Sequence, residues 1–201
     1  GNNMRFIGIT GGVGAGKSAI LDYLSRKDGV RVMLADEIAH DLMEPGTDCF
    51  EKIRKQFQME DIWTEDGKLD RLKLAQVIFA DVEKRNLLNG VVHPAVKKYV
   101  IAEAEKERME GKRKLLVLEA ALLIEEHYDE ICDELWYIYT SEENRAERLK
   151  TSRGYSMEKI KNIFDSQLKE EDYRKYCQVV IDNNGSIEQT CREIDQALQR
   201  E

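Results

Sequence analysis

Apolar residues in this chain fall into short unbroken runs separated by longer amphipathic stretches. The first run, at 5–10, carries Phe6, Ile7 and Ile9 and passes straight into glycines, the pattern of a short strand. Runs at 30–35, 115–118, 135–139 and 179–181 read the same way. They are continuous rather than alternating, as strands buried on both faces must be. A helix should start near Lys17, with Ile20, Leu21 and Leu24 on one face. Thr140-Ser141-Glu142-Glu143 and Ser186-Ile187-Glu188-Gln189 both match a capping box at a helix start. After the second, Ile187, Cys191, Ile194 and Leu198 recur at helical spacing. Strands alternating with helices predict an α/β fold with a five-stranded, parallel, doubly wound sheet.

Two stretches depart from that alternation. The roughly eighty residues between the second and third runs read as wholly helical, most clearly at 69–80 and 94–110. The latter should start on Pro94 and stop at Gly111. Between the fourth and fifth runs, 145–176 reads as a charged helical hairpin turned at Gly154-Tyr155-Ser156. Insertions at the edge of an α/β sheet commonly carry substrate specificity.

Composition narrows the classes. A chain of 201 residues with 42% hydrophobic residues builds a packed core. The formal net charge of −8 disfavours non-specific binding to nucleic acid or an anionic membrane, so neither is expected as a partner. Cys49, Cys132, Cys177 and Cys191 show no CxxC spacing and fit reduced thiols in a cytoplasmic protein better than disulfides or a zinc site. The longest apolar run, 115–124, is short and interrupted by Glu119, and no signal-peptide pattern opens the chain. Gly1-Asn2-Asn3 before Met4 reads as an expression remnant.

The chemistry is concentrated in Gly11-Gly12-Val13-Gly14-Ala15-Gly16-Lys17-Ser18, which matches G-x-x-x-x-G-K-[ST] without a mismatch. Glycines let the loop wrap so that backbone N–H groups of 12–19 face phosphate oxygens, with the following helix adding its positive end. Gly12, Val13, Gly14, Ala15, Gly16, Lys17, Ser18 and Ala19 should therefore hold a nucleoside triphosphate. Lys17 places a cation on the β- and γ-phosphates and faces solvent when no nucleotide is bound, while Ser18 ligates Mg²⁺. The bland alternative is a chance glycine-rich turn, which the apolar strand before it and the helical pattern after it oppose. No N-K-x-D tetrapeptide marks a GTPase. Small size with two helical insertions predicts a nucleotide-kinase-like P-loop fold. Its core spans 4–34, 112–144 and 178–201, its helical acceptor lobe 35–111 and its lid 145–177.

Further blocks make a resemblance specific. Thr10–Ser18 is followed by Leu34-Ala35-Asp36-Glu37-Ile38-Ala39-His40, then Leu69-Asp70-Arg71, Val77-Ile78-Phe79, His93-Pro94, Ala121-Leu122-Leu123-Ile124-Glu125 and Asn183-Asn184-Gly185. In this order the chain resembles the dephospho-CoA kinase family along nearly its whole length. The resemblance implies transfer of the ATP γ-phosphoryl group to the ribose 3′-hydroxyl of dephospho-CoA, with Mg²⁺. Departures from the family pattern are Leu34 for its first aspartate, Ala121 for its proline and Cys177-Gln178 for Ala-Asp. Ser152 stands at the second lid arginine, with Arg153 beside it.

Each candidate has a bland rival. Asp36 just past a strand end accepts the acceptor's proton or caps a helix at 37–43. Glu119 at the end of the third strand faces the metal or is a solvated acid. Arg71 and His93 bind the acceptor, or pack and cap helices; His40 is a weaker candidate of the same kind. Arg148, and with less support Arg145 and Arg153, meet the transferring phosphate, or line a solvated helix face beside Glu142, Glu143 and Glu147. Asn183 and Gly185 line the adenine pocket through loop backbone, or merely turn a strand into a helix. Two other readings stay open: another small nucleotide or nucleoside kinase, and a non-catalytic ATP-sensing module.

Overall fold

The computed structural model describes residues 4–200; residues 1–3, read above as an expression remnant, and Glu201 lie outside the described residues. Strands β1 (Arg5–Thr10), β2 (Val30–Leu34), β3 (Leu115–Glu119), β4 (Glu134–Tyr139) and β5 (Val179–Asp182) form one parallel sheet in the order β2-β3-β1-β4-β5. β1 lies at the centre, with Ile9 opposite Glu119 on one side and Trp136 on the other. Phe6, Ile7, Ile9, Leu116, Leu118, Trp136 and Ile138 are fully buried, which explains why these strands read as unbroken apolar runs. After β1 the chain turns to one side of the sheet and after β3 to the other. The loop that leaves β1 thus sits where open α/β sheets take their ligands.

The helices are α1 (Lys17–Ser25), α2 (Ala35–Leu42), α3 (Asp48–Gln56), α4 (Arg71–Ala80), α5 (Val82–Glu110), α6 (Glu142–Arg153), α7 (Met157–Ser166), α8 (Glu170–Tyr176) and α9 (Ile187–Gln199). The chain divides into two compact units, one of residues up to Met33 and from Glu107 onward, the other Leu34–Lys106.

In the first unit, α9 begins with the capping box read from sequence, Ser186 and Gln189 bonding reciprocally. Tyr23 of α1 donates to Asp195 of α9 at 2.7 Å, and Lys27 pairs with the same carboxylate at 2.9 Å. Glu107 is a buried acid satisfied by Arg31 at 3.0 Å and Arg113 at 3.6 Å. The other capping box is displaced. Ser141, not Thr140, caps α6, accepting from the Asn144 N–H at 3.2 Å. Thr140 is buried and its hydroxyl is engaged elsewhere.

The second unit is not wholly helical. Between α3 and α4 the chain makes an antiparallel bridge, Trp63 to Leu69, closed by Thr64 N–H to Lys68 O at 2.8 Å. Trp63 meets Phe50 edge-on at 5.8 Å. The long helix also differs from its reading. It starts at Val82 and runs through Pro94 instead of starting there. A proline inside a helix loses a hydrogen bond and costs about 3 kcal/mol. Leu88, Val91 and Val92 before it, and Val96 and Val100 after it, are all buried, and that burial outweighs the break.

Gly8 of β1 sits where a Cβ would lie 2.9 Å from side-chain carbons of Leu123 and Leu135 and 3.1 Å from Cys132 Sγ. Gly8→Ala should overpack this layer and lower the unfolding free energy by about 1–3 kcal/mol in urea titration. An unchanged midpoint would contradict the packing described.

Candidate functional site

The glycine-rich loop turns directly into α1. Gly16 is its N-cap at φ 87° and brings no side-chain cap, so the first-turn N–H groups stay available to an outside acceptor. Gly14 (φ 84°) and Gly16 lie in the left-handed region, where a side chain would be strained. One internal bond closes the turn, Ala15 N–H to Gly12 O at 3.1 Å.

The loop's carbonyls are held by side chains from four places. Lys17 Nζ donates to Gly11 O at 2.9 Å, and Arg145 Nε to Val13 O at 3.0 Å. Ala15 O accepts from Thr140 Oγ1 at 2.9 Å, Arg148 Nη1 at 3.0 Å and Asn183 Nδ2 at 2.7 Å. In a trans peptide the C=O and the next N–H point in opposite directions. Holding the carbonyls of 11, 13 and 15 therefore turns the N–H groups of Gly12, Gly14 and Gly16 the other way. Close approach explains two of the glycines. A Cβ on Gly12 would overlap the Arg145 guanidinium, and one on Gly16 would overlap Asn183 Nδ2 and Arg148 Nη1.

Lys17 does not face solvent, contrary to the sequence reading. Its Nζ is 3.2 Å from Glu119 Oε2, with both side chains 16% exposed. The register of β3 against β1 puts Glu119 beside Ile9, within reach of the helix that β1 leads into. Ser18 and Ala19 are exposed in the first turn of α1. Ser18 and Glu119 are hard oxygen donors of the kind Mg²⁺ takes. Among the described residues no group of three or more His, Cys, Asp or Glu is placed to hold a metal.

The stretch read as a helical hairpin at 145–176 forms three helices, α6 to α8, though its first turn falls at Gly154 as read. Arg148 reaches back from α6: besides Ala15 O it donates from Nη2 to Asn183 O at 2.7 Å. Asn183 is buried, its side chain bridging Ala15 O and the Thr190 hydroxyl, which donates to it at 2.8 Å. A Cβ on Gly185 would overlap Gln189 of the α9 capping box. Arg153 is the exposed last residue of α6, its guanidinium 5.9 Å from the Tyr155 ring.

The acceptor candidates lie in the second unit. Asp36 is exposed and stands in the first turn of α2, whose N-cap is Leu34, so it is not the helix cap of the bland reading. Arg71 Nη2 donates to His40 O at 2.8 Å and meets Glu44 at 3.2 Å, tying the end of α2 to the start of α4. His40 is exposed, and His93 is half-buried midway along α5.

The structure thus gathers Lys17, Glu119, Arg148 and Asn183 around the loop. Sequence reasoning missed Thr140, taken for a cap, and Gln167, which accepts from Arg145 at 2.6 Å. Thr140's place just past β4, next to the central strand, was the available signal. Gln167 carried none.

The model of the dephospho-CoA kinase family matches residues 5–189. A dephospho-CoA kinase of Carboxydothermus hydrogenoformans is 37% identical over 197 residues, covering 98% of this chain and 94% of that one. The solved structure of TT1252 from Thermus thermophilus is 29% identical with a TM-score of 0.78, covering 98% and 97% of the two chains. A dephospho-CoA kinase from Campylobacter jejuni shares the fold at 23% identity and a TM-score of 0.72, covering 98% and 96%.

Because Lys17 and Glu119 satisfy each other, Lys17→Ala leaves a largely buried carboxylate unpaired. It should lower stability by roughly 1–3 kcal/mol. Adding Glu119→Ala should cost less than the sum of the single changes, with a coupling above about 0.5 kcal/mol in a double-mutant cycle. Additive effects would show that the pair is not formed in solution.

Proposed function

The chain belongs to the dephospho-CoA kinase family, and we propose that its own residues move the γ-phosphoryl group of ATP to the ribose 3′-hydroxyl of dephospho-CoA, giving CoA and ADP. The observation that carries this is the phosphate loop, with its odd-numbered carbonyls held and its uncapped helix start free, in a chain that fits the family along nearly its whole length.

In this reading residues Gly12 to Ala19 wrap the phosphates through their backbone N–H groups, except that of Ala15, which closes the turn on Gly12 O, and Lys17 leaves Glu119 to meet the β- and γ-phosphates. Ser18 and Glu119 would hold Mg²⁺, which when bound would neutralise phosphate charge. Asp36 accepts the proton of the ribose hydroxyl as that oxygen bonds to the γ-phosphorus and the β–γ bridging oxygen departs with ADP. The Leu34–Lys106 unit is the acceptor lobe, where Arg71 and His93 contact dephospho-CoA. Arg148 stabilises charge on the transferring group from the lid, and Asn183 and Gly185 border the adenine. The protein works in the cytoplasm, where its four free cysteines stay reduced. Among the described residues no helix is long and apolar enough to cross a membrane.

Incubation with ATP and Mg²⁺ should convert dephospho-CoA to CoA by mass, in preference to AMP, CMP or shikimate as acceptors. A better AMP rate would move the enzyme to another acceptor class, and no γ-phosphate loss with any acceptor would favour nucleotide sensing. Asp36→Asn should lower kcat on the order of 10²–10⁴-fold with little change in KM for ATP. A loss below about tenfold would remove Asp36 from proton transfer.

The lid gives a second comparison. Arg148→Ala should reduce kcat by about 10³-fold or more. Arg153→Ala should be milder, and Ser152→Arg should not be required for activity. A larger loss in Arg153→Ala would transfer the phosphate role to Arg153.

A further inference from the structure

Arg145 is spent on contacts within the protein. Its Nε bonds Val13 O at 3.0 Å, its Nη2 donates to Gln167 Oε1 at 2.6 Å, and its flat face lies 4.3 Å from the Phe164 ring centroid. Phe164 lies on α7 and Gln167 caps its end, so α6, α7 and the phosphate loop meet on one side chain. Tyr137 of β4 and Tyr173 of α8, stacked 4.7 Å apart at 4°, lie close enough to affect its charge. Burial pulls the guanidinium below its ordinary value, opposed by those tyrosines and Glu142. An arginine stays charged under such a shift.

Only arginine fits this position. Two divergent donors and a planar face are needed at once, and lysine offers neither the fork nor the plane. Among the described residues no carboxylate forms an ion pair with it, so its charge beside the loop has no direct counter-ion.

We infer that Arg145 is a positioning residue for nucleotide binding: by holding the Val13 carbonyl it turns the Gly14 N–H to the phosphate side. The inference rests on the loop being the ATP site and not on which acceptor is used. Neither contact touches a reacting atom. The effect appears in affinity for ATP, where a lost charge-assisted bond to the loop and a misoriented N–H weaken the same ligand.

Calorimetric titration with ATP and Mg²⁺, without acceptor, tests this whatever the acceptor proves to be. Arg145→Met should weaken ATP binding by about tenfold or more. Gln167→Leu, which loosens the lid but leaves the bond to Val13, should change it by less than about threefold. Arg145→Lys, able to make one bond, should recover part of the loss. In turnover, KM for ATP should rise in Arg145→Met while KM for the acceptor stays within about twofold. If Arg145→Met fails to fold, Arg145→Gln is read by the same thresholds. Near-normal ATP affinity in the Met or Gln variant would overturn the assignment. So would equal weakening by Gln167→Leu, which would make Arg145 lid packing alone.

Discussion

A phosphate cradle works only when its amide hydrogens point one way, and peptide planarity makes that a matter of where the carbonyls are held. In this protein the carbonyls of Gly11, Val13 and Ala15 are bound by Lys17, Arg145, Arg148, Thr140 and Asn183. The alternation leaves the N–H groups of Gly12, Gly14 and Gly16 turned the other way. The donors come from the loop's own helix, the lid, the end of β4 and the turn after β5. Much of the first unit is therefore arranged around one short stretch of backbone. Phosphoryl transfer asks for such an arrangement, because catalysis there is mostly positioning and charge stabilisation, set before substrate arrives.

The strands and the loop were legible because each leaves a local signature. A strand buried on both faces must be continuously apolar, and the ends of β1 were read to the residue. The phosphate loop is written in glycines whose conformation is its function. What sequence could not supply were contacts between distant segments. Arg145 and Val13 are 132 residues apart, and no spacing rule links them. Thr140 was read as a cap because its neighbours fit the pattern shifted by one residue. Lys17 was assigned to solvent because Glu119 meets it only through the pairing of β3 with β1. Pro94 misled for another reason: a local preference, proline at a helix start, was overridden by burial along the rest of α5.

The same reading changes what the glycines and lid arginines are for. Gly12 and Gly16 serve their neighbours' approach as much as the loop's own turn, since a Cβ there would displace Arg145, Arg148 or Asn183. Arg145 and Arg148 stand within three residues on α6 and both bond loop carbonyls, so the start of α6 is tied directly to the loop. Arg153, exposed at the end of α6, has no such duty. Asp36, Arg71 and His93 lie on the second unit and serve the acceptor in the proposed mechanism.

A crystal structure of the protein with ATP and Mg²⁺ would show whether the loop is set before the nucleotide arrives. Val13 O should keep Arg145, and Ala15 O should keep Thr140 and Asn183, while Lys17 exchanges Glu119 for phosphate. The N–H groups of Gly14 and Gly16 should then lie on phosphate oxygens without any peptide of the loop having turned over. A loop whose Val13 or Ala15 peptide flips on binding, releasing those side chains, would contradict it.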